Sequence, residues 1–163
     1  MNLIVYHGAT EVIESPLVTI GRENLDFGKG FYLTDIREQA ARWALSVAAK
    51  RRLDAVINVY ELGREALMAE ARCKIFSAYD EEWLNFIVAN RRGDTLFEEF
   101  DYVEGGVADD RVIDTVNLYI AGLMSVDVAL TRLSLYQPSN QICILNQRLI
   151  DKYLHYYGTE SAK

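Results

Sequence analysis

The stretch that most constrains the fold runs from Asp26 to Trp43 and reads DFGKGFYLTDIREQAARW. Phe27, Gly28, Lys29 and Gly30 make a glycine-bracketed loop, and Phe31, Tyr32 and Leu33 read as a short strand. Asp35 and Glu38 have the spacing of an N-cap and its partner three residues on, which predicts a helix that begins there and runs to about Lys50. Ala40, Ala41 and Ala44 keep that helix thin enough to pack closely. Trp43 stands eight residues past Asp35, roughly 12 Å along a helix axis. Loop, strand and helix together are expected to form one wall of a pocket, lined by Tyr32 and Trp43.

Around this stretch the pattern mixes strands and helices. Asn2–His7 and Ala55–Leu62 read as strands, Cys73–Phe76 as a short strand, and Gln141–Leu145 as a strong one. Ala9–Glu14 predicts a helical turn ended by Pro16, Leu17–Asp26 a surface connection, and Glu65–Ala71 either a helical turn or a connection. Asp80–Ala89 reads as a helix with acids in its first turn, and Asp109-Asp110-Arg111 as the opening of another. Ser125 is expected to cap a helix through Leu130. Glu104-Gly105-Gly106 marks a turn and Tyr136–Asn140 a loop, while Gln147–Tyr157 reads as a C-terminal helix. Regular βαβ alternation is missing, so the fold class expected is α+β rather than a doubly wound sheet.

The chain has 163 residues, half of them apolar, which fits one domain over residues 1–158 with a flexible tail at 159–163. No apolar run approaches the ~20 residues that span a bilayer, and MNLIVYHGAT lacks a basic leader, so a soluble, cytoplasmic protein without membrane partners is expected. A net charge of −7 disfavours nonspecific nucleic-acid binding. Two distant cysteines, Cys73 and Cys143, and two histidines, His7 and His155, offer no metal-ligand spacing, so no metal is expected.

Three pieces fall in a telling order: Tyr6-His7-Gly8, then Phe27-Gly28-Lys29-Gly30-Phe31-Tyr32, then Asn140-Gln141-Ile142-Cys143-Ile144. This arrangement resembles the ADP-ribosyltransferase superfamily, in the branch shared by poly(ADP-ribose) polymerases and diphtheria toxin. Members have a His-Gly pair ending the first strand and a glycine-bracketed loop leading to a tyrosine. A second aromatic follows eleven residues on, here Trp43, and a late strand opens with a catalytic residue, usually glutamate and here Gln141. The resemblance implies a split, two-sheet α+β core that grips NAD as co-substrate. It implies that His7 bonds an NAD ribose, that Gly8 meets the nicotinamide amide, and that Tyr32 and Trp43 hold the ring. Gly30 and Phe31 would border the cofactor, and His7, Tyr32 and Gln141 form the catalytic set.

Gln141 keeps a hydrogen-bond acceptor but has no charge, so it cannot serve as a general base. Ala40 and Ala9 stand where the polymerases place hydroxyls. The activity implied is therefore mono-ADP-ribosyl transfer to a macromolecular acceptor, with NAD glycohydrolysis alongside, rather than chain growth. By analogy such a protein could be a bacterial toxin held by an antitoxin protein. Two other readings share these residues. One is a non-catalytic NAD or ADP-ribose binding module. The other is an RNA 2′-phosphotransferase-like enzyme, for which Arg22 and Arg37 are the available phosphate ligands in the first block.

Overall fold

The computed structural model describes residues 2–20, 26–108, 110–136 and 139–163. The architecture is α+β. The first sheet is antiparallel, in the order β1 (Leu3–Ala9), β3 (Val56–Leu62), β7 (Leu154–Ser161). The second runs β2 (Phe31–Leu33), β6 (Asn140–Ile144), β5 (Tyr102–Gly106), β4 (Cys73–Ile75), with β4 parallel to β5 and the rest antiparallel. One bridge joins the sheets: the Tyr6 and Thr34 main chains exchange hydrogen bonds of 2.8 and 3.0 Å. The two sheets are thus one strand series that parts on either side of a single seam.

Side chains alternate across a strand, so this seam fixes which residues share a face. Val5, Tyr60 and Leu62 meet Phe31, Leu33, Tyr102, Ile142 and Ile144 in a core between the sheets. Helices α2 (Arg64–Glu70) and α6 (Gln147–Tyr153) close it with Leu67, Leu149 and Ile150. On the other face, Val103 and Cys143 are covered by α3 (Glu81–Arg91), α4 (Asp110–Ile120) and α5 (Val126–Leu133), through Trp83, Val112, Val116, Ala129 and Leu133. Helix α1 (Arg37–Arg51) lies on that same face over the first sheet, packing Ala40 on Ile57 and Val59. Its alanine stripe matters: a Cβ on Gly8 would stand 2.1 Å from the Ala40 carbonyl oxygen, so only glycine admits the helix there.

Several expectations are met. Asp80 caps α3 by accepting from the Trp83 N–H at 2.8 Å, and Ser125 caps α5 by accepting from Val128 at 3.3 Å. Of the two readings open for 65–71, the helical one holds for Arg64–Glu70, with Ala71 extended behind it. Others are corrected. Helix α1 starts at Arg37 behind Ile36, with no side-chain cap from Asp35; the Thr34 hydroxyl instead accepts from the Ile36 N–H at 3.1 Å. Residues 10–15 are not helical, because the buried Asn58 amide and Tyr60 hydroxyl take up their backbone: Asn58 bonds Glu11 and Ile13, and Tyr60 donates to the Ile13 carbonyl at 2.6 Å. Val18–Ile20 form one 3₁₀ turn.

Glu104-Gly105-Gly106 is strand, not turn. Gly105 lies opposite Gln141 in the β5–β6 ladder, and the Phe76 side chain occupies the space its own would take. The C-terminal helix stops at Tyr153, and the chain returns as β7 along the free edge of β3. The expected tail is therefore partly strand through Ser161, with the Ala162 N–H bonded to the Ala55 carbonyl at 3.1 Å. Arg22 and Asp109, singled out above, lie outside the described residues.

Candidate functional site

The seam at Tyr6 and Thr34 places Gly8, Thr34, Tyr32 and Gln141 on one face of the strand series, the face that α1 covers on one side and α3 on the other. Tyr6 spends both main-chain groups on Thr34, so Gly8, two residues on, turns its N–H and C=O the same way, towards the gap where β1 and β2 diverge. The glycine has two consequences here. Its bare side admits α1, and its amide edge faces the gap with one donor and one acceptor.

Trp43 is placed by α1. Gln39, one turn earlier, is 3 % exposed, and its Nε2 donates to the Thr34 hydroxyl at 3.1 Å and the Asn140 carbonyl at 2.9 Å. Residues four apart share a helix face, so Trp43 continues the Gln39 stripe towards the level of Gly8, and it is half-buried.

The glycine loop is held rigidly. The Tyr32 hydroxyl donates to the Gly28 carbonyl at 2.5 Å and accepts from the Phe27 N–H at 3.1 Å. Gly28 has a φ of 95°, and the Phe97 ring fills the space where its side chain would be. Asp26 pairs with Arg91 at 2.6 Å, and Asn90 donates to the Asp26 carbonyl at 2.9 Å. Burial pushes the Tyr32 phenol well above its usual range, so its O–H stays on to clip the loop. Its half-buried ring, not its hydroxyl, is what remains for a ligand.

Gln141, the second residue of β6, is 4 % exposed, and its buried Nε2 has no hydrogen-bond partner. A buried donor left unpaired costs about 1–3 kcal/mol, and Cys143 beside it is a buried thiol whose titration burial pushes far up. Glu104, one residue before the Gly105 that lies opposite Gln141, faces away from this place. Its Oε2 accepts from Arg64 at 2.8 and 3.0 Å and from Tyr102 at 2.7 Å, and its Oε1 accepts from Asn140 at 3.1 Å. Asp110 lies in the first turn of α4.

His7 and Phe31 belong to the opposite face. Their rings stack at 4.3 Å, and the His7 Nδ1–H donates to the Tyr32 carbonyl at 2.7 Å, lacing β1 to β2 just past the seam. Burial lowers the His7 pKa, with the carbonyl bond opposing it, so the ring is neutral at pH 7 and presents a lone pair at Nε2. Phe31 is 7 % exposed, a core residue, and Gly30 is bare because the Cys143 sulfur and the Ile144 carbonyl press against it. The structure thus puts Gly8, Tyr32 and Gln141 on one face of the strands and ties His7 to them through the Tyr32 backbone, while Trp43 lies on α1 one turn past Gln39. Sequence reasoning missed Gln39, Asn90, Arg91 and Phe97, whose bonds and contacts reach across 64 to 101 positions; the one local signal was Gln39, a turn before Trp43.

The fold is α+β, two sheets joined by the Tyr6–Thr34 bridge, with Gly8, Tyr32 and Gln141 on one face of the strands. Residues 3–156 match the model of DUF3990, described as a protein family of unknown function, and the chain belongs to that family. No curated protein and no solved structure matches it. No helix among the described residues is long and apolar enough to cross a membrane.

Proposed function

We infer that the chain is an NAD-dependent mono-ADP-ribosyltransferase whose cleft lies at the seam, on the Tyr32 and Gln141 face. The observation that carries this reading is Gln141: a buried amide with an unpaired N–H, on the face of Gly8 and Tyr32, at the strand position where the resembled family has its catalytic residue. A buried donor without a protein partner has a bond to give to a ligand that reaches it. In this reading the Gly8 N–H and C=O pair with the nicotinamide carboxamide. Tyr32 and Trp43 flank the cationic ring, which attracts aromatic faces. Gln141 bonds the adjoining ribose, and His7, on the opposite face, holds β1 to β2 through the Tyr32 carbonyl.

The C1′–N bond breaks, its electron pair leaves with neutral nicotinamide, and the acceptor's lone pair forms the new bond to C1′. The acceptor's proton goes to solvent, since Gln141 cannot take it. Rate enhancement comes from positioning and from neutral dipoles around the cationic ribose.

Gln141 brings no negative charge, and Glu104 turns its carboxylate to Arg64, Tyr102 and Asn140, which favours a second reading, a binding module that holds NAD or ADP-ribose without cleaving it. One experiment separates them. NAD labelled in the adenylate half is incubated with protein and cell lysate, and free nicotinamide and labelled macromolecules are measured. Transfer predicts discrete single-unit label, with Gln141→Ala about 10²–10³-fold slower. Saturable binding without nicotinamide release supports the module. No binding and no release overturns both readings, and a high-mass ladder overturns mono-transfer.

A further inference from the structure

We propose that Gln39 is a positioning residue that sets the spacing between Trp43 and Gln141, an inference that rests on reading the cleft as an NAD site. Three elements bring residues to that cleft: α1 with Trp43, β2 with Tyr32, and β6 with Gln141. They meet at one buried point. Gln39 Nε2 donates to the Thr34 hydroxyl, at the end of β2, and to the carbonyl of Asn140, the residue before Gln141. The Thr34 hydroxyl gives its own proton to the same Asn140 carbonyl at 3.1 Å, so that oxygen receives two donors. Thr34 also makes the main-chain bridge to Tyr6 that carries β1 and Gly8.

Little else ties α1 to β6. The buried face of the helix is otherwise alanine, which lets it lie close but gives no lateral register against the second sheet. An amide with two defined acceptors supplies that register. Gln39 is 3 % exposed and Thr34 is 0 % exposed, so water cannot easily replace either bond. A ring held on one side by α1 and a ribose held by β6 are bonded to each other in the ligand. Displacement of one wall by about 1 Å would therefore cost turnover more than it costs binding.

Gln39→Met keeps the length of the side chain and removes both donated bonds. Thr34→Val keeps the shape and removes the shared hydroxyl, whereas Thr34→Ser retains it. Ile150→Val, in the core between the sheets, calibrates a mild loss of stability. With NAD as the probe, Gln39→Met and Thr34→Val are expected to lower kcat for nicotinamide release by about 10- to 100-fold with KM within about threefold. Thr34→Ser stays nearer the wild type than Thr34→Val, and Ile150→Val retains wild-type kcat.

A ligand-free readout accompanies the kinetics. The chain has two tryptophans, so 5-fluorotryptophan labelling gives one ¹⁹F line from Trp43 and one from Trp83, which is buried in α3 and donates to the Gly106 carbonyl. Gln39→Met should move the Trp43 line and leave the Trp83 line in place. Turnover and the Trp43 line both unchanged in Gln39→Met and Thr34→Val overturn the proposal while the NAD reading stands. A wild type that neither binds nor cleaves NAD removes that reading, and the Trp43 line alone then decides whether Gln39 positions the helix.

Discussion

A histidine that gives its Nδ1 proton to a carbonyl can offer a ligand only the lone pair at Nε2, and His7 is held in that state by the Tyr32 carbonyl at 2.7 Å. Protonation would turn Nε2 into a donor, and burial resists it, placing the pKa below the ordinary value of 6.5. The sign follows directly. Below pH 6.5 the unfolded chain takes up a proton that the folded chain refuses, so stability declines as pH falls from 6.5 towards the folded pKa. Nitrogen-detected NMR of the imidazole should show the neutral Nδ1–H form at pH 7 and a midpoint below 6.5. A midpoint at or above 6.5 would contradict the packing of this ring on Phe31. The same economy governs Gly8, whose lack of a side chain is explained by the close approach of α1.

At the scale of elements, α2 and α6 are joined by one carboxylate. Glu70 accepts from Arg148 at 2.9 Å, Lys152 at 3.0 Å and the Tyr153 hydroxyl at 2.8 Å. Those bonds, with Lys152 foremost, bring its pKa down to about 2. Because the folded pKa is depressed, the stabilisation is complete above the unfolded value near 4.5 and fades as pH falls towards 2. Glu70→Gln should therefore lower the thermal midpoint at pH 7, with the difference from wild type narrowing in melts between pH 4.5 and 2. A constant difference would mean that shape rather than charge matters. Most elements were legible from local pattern: the caps at Asp80 and Ser125, the strand of β3 and the loop-strand-helix unit at 26–51. The misreadings share a cause. Gly105 and Gly106 look like a turn until Phe76 and Gln141 are known to lie against that strand, and 154–157 looks helical until the open edge of β3 is known to need a partner. Of the candidate residues, Gly8, Tyr32, Trp43 and Gln141 were singled out by motif order, and Gly8, Tyr32 and Gln141 fall on one face of the strands. Gln39 was not singled out, since its partner Asn140 lies 101 positions away.

Across the whole molecule, the first sheet depends on its last strand. Thr159 donates to the buried Asn58 Oδ1 at 2.7 Å, and the same oxygen accepts from Ile13, so the C-terminal strand helps to hold the segment after β1. A chain ended at Tyr153 exposes the length of β3 and strands Asn58; circular dichroism should show no cooperative melt, and a transition near that of the full chain would refute the dependence. Strand β2 has the opposite relation to time. It is made early, yet its ladder partner pairs Phe31 with Ile144, more than a hundred residues downstream. At synthesis rates of ~5–20 residues per second, β2 waits roughly 5–20 s for β6. Throughout that interval Gly8, Tyr32 and Trp43 already exist while the amide of Gln141 does not. A cell making this protein therefore has those seconds in which the nascent chain carries β2 as an unpaired strand edge, before the strand that completes its ladder has been made.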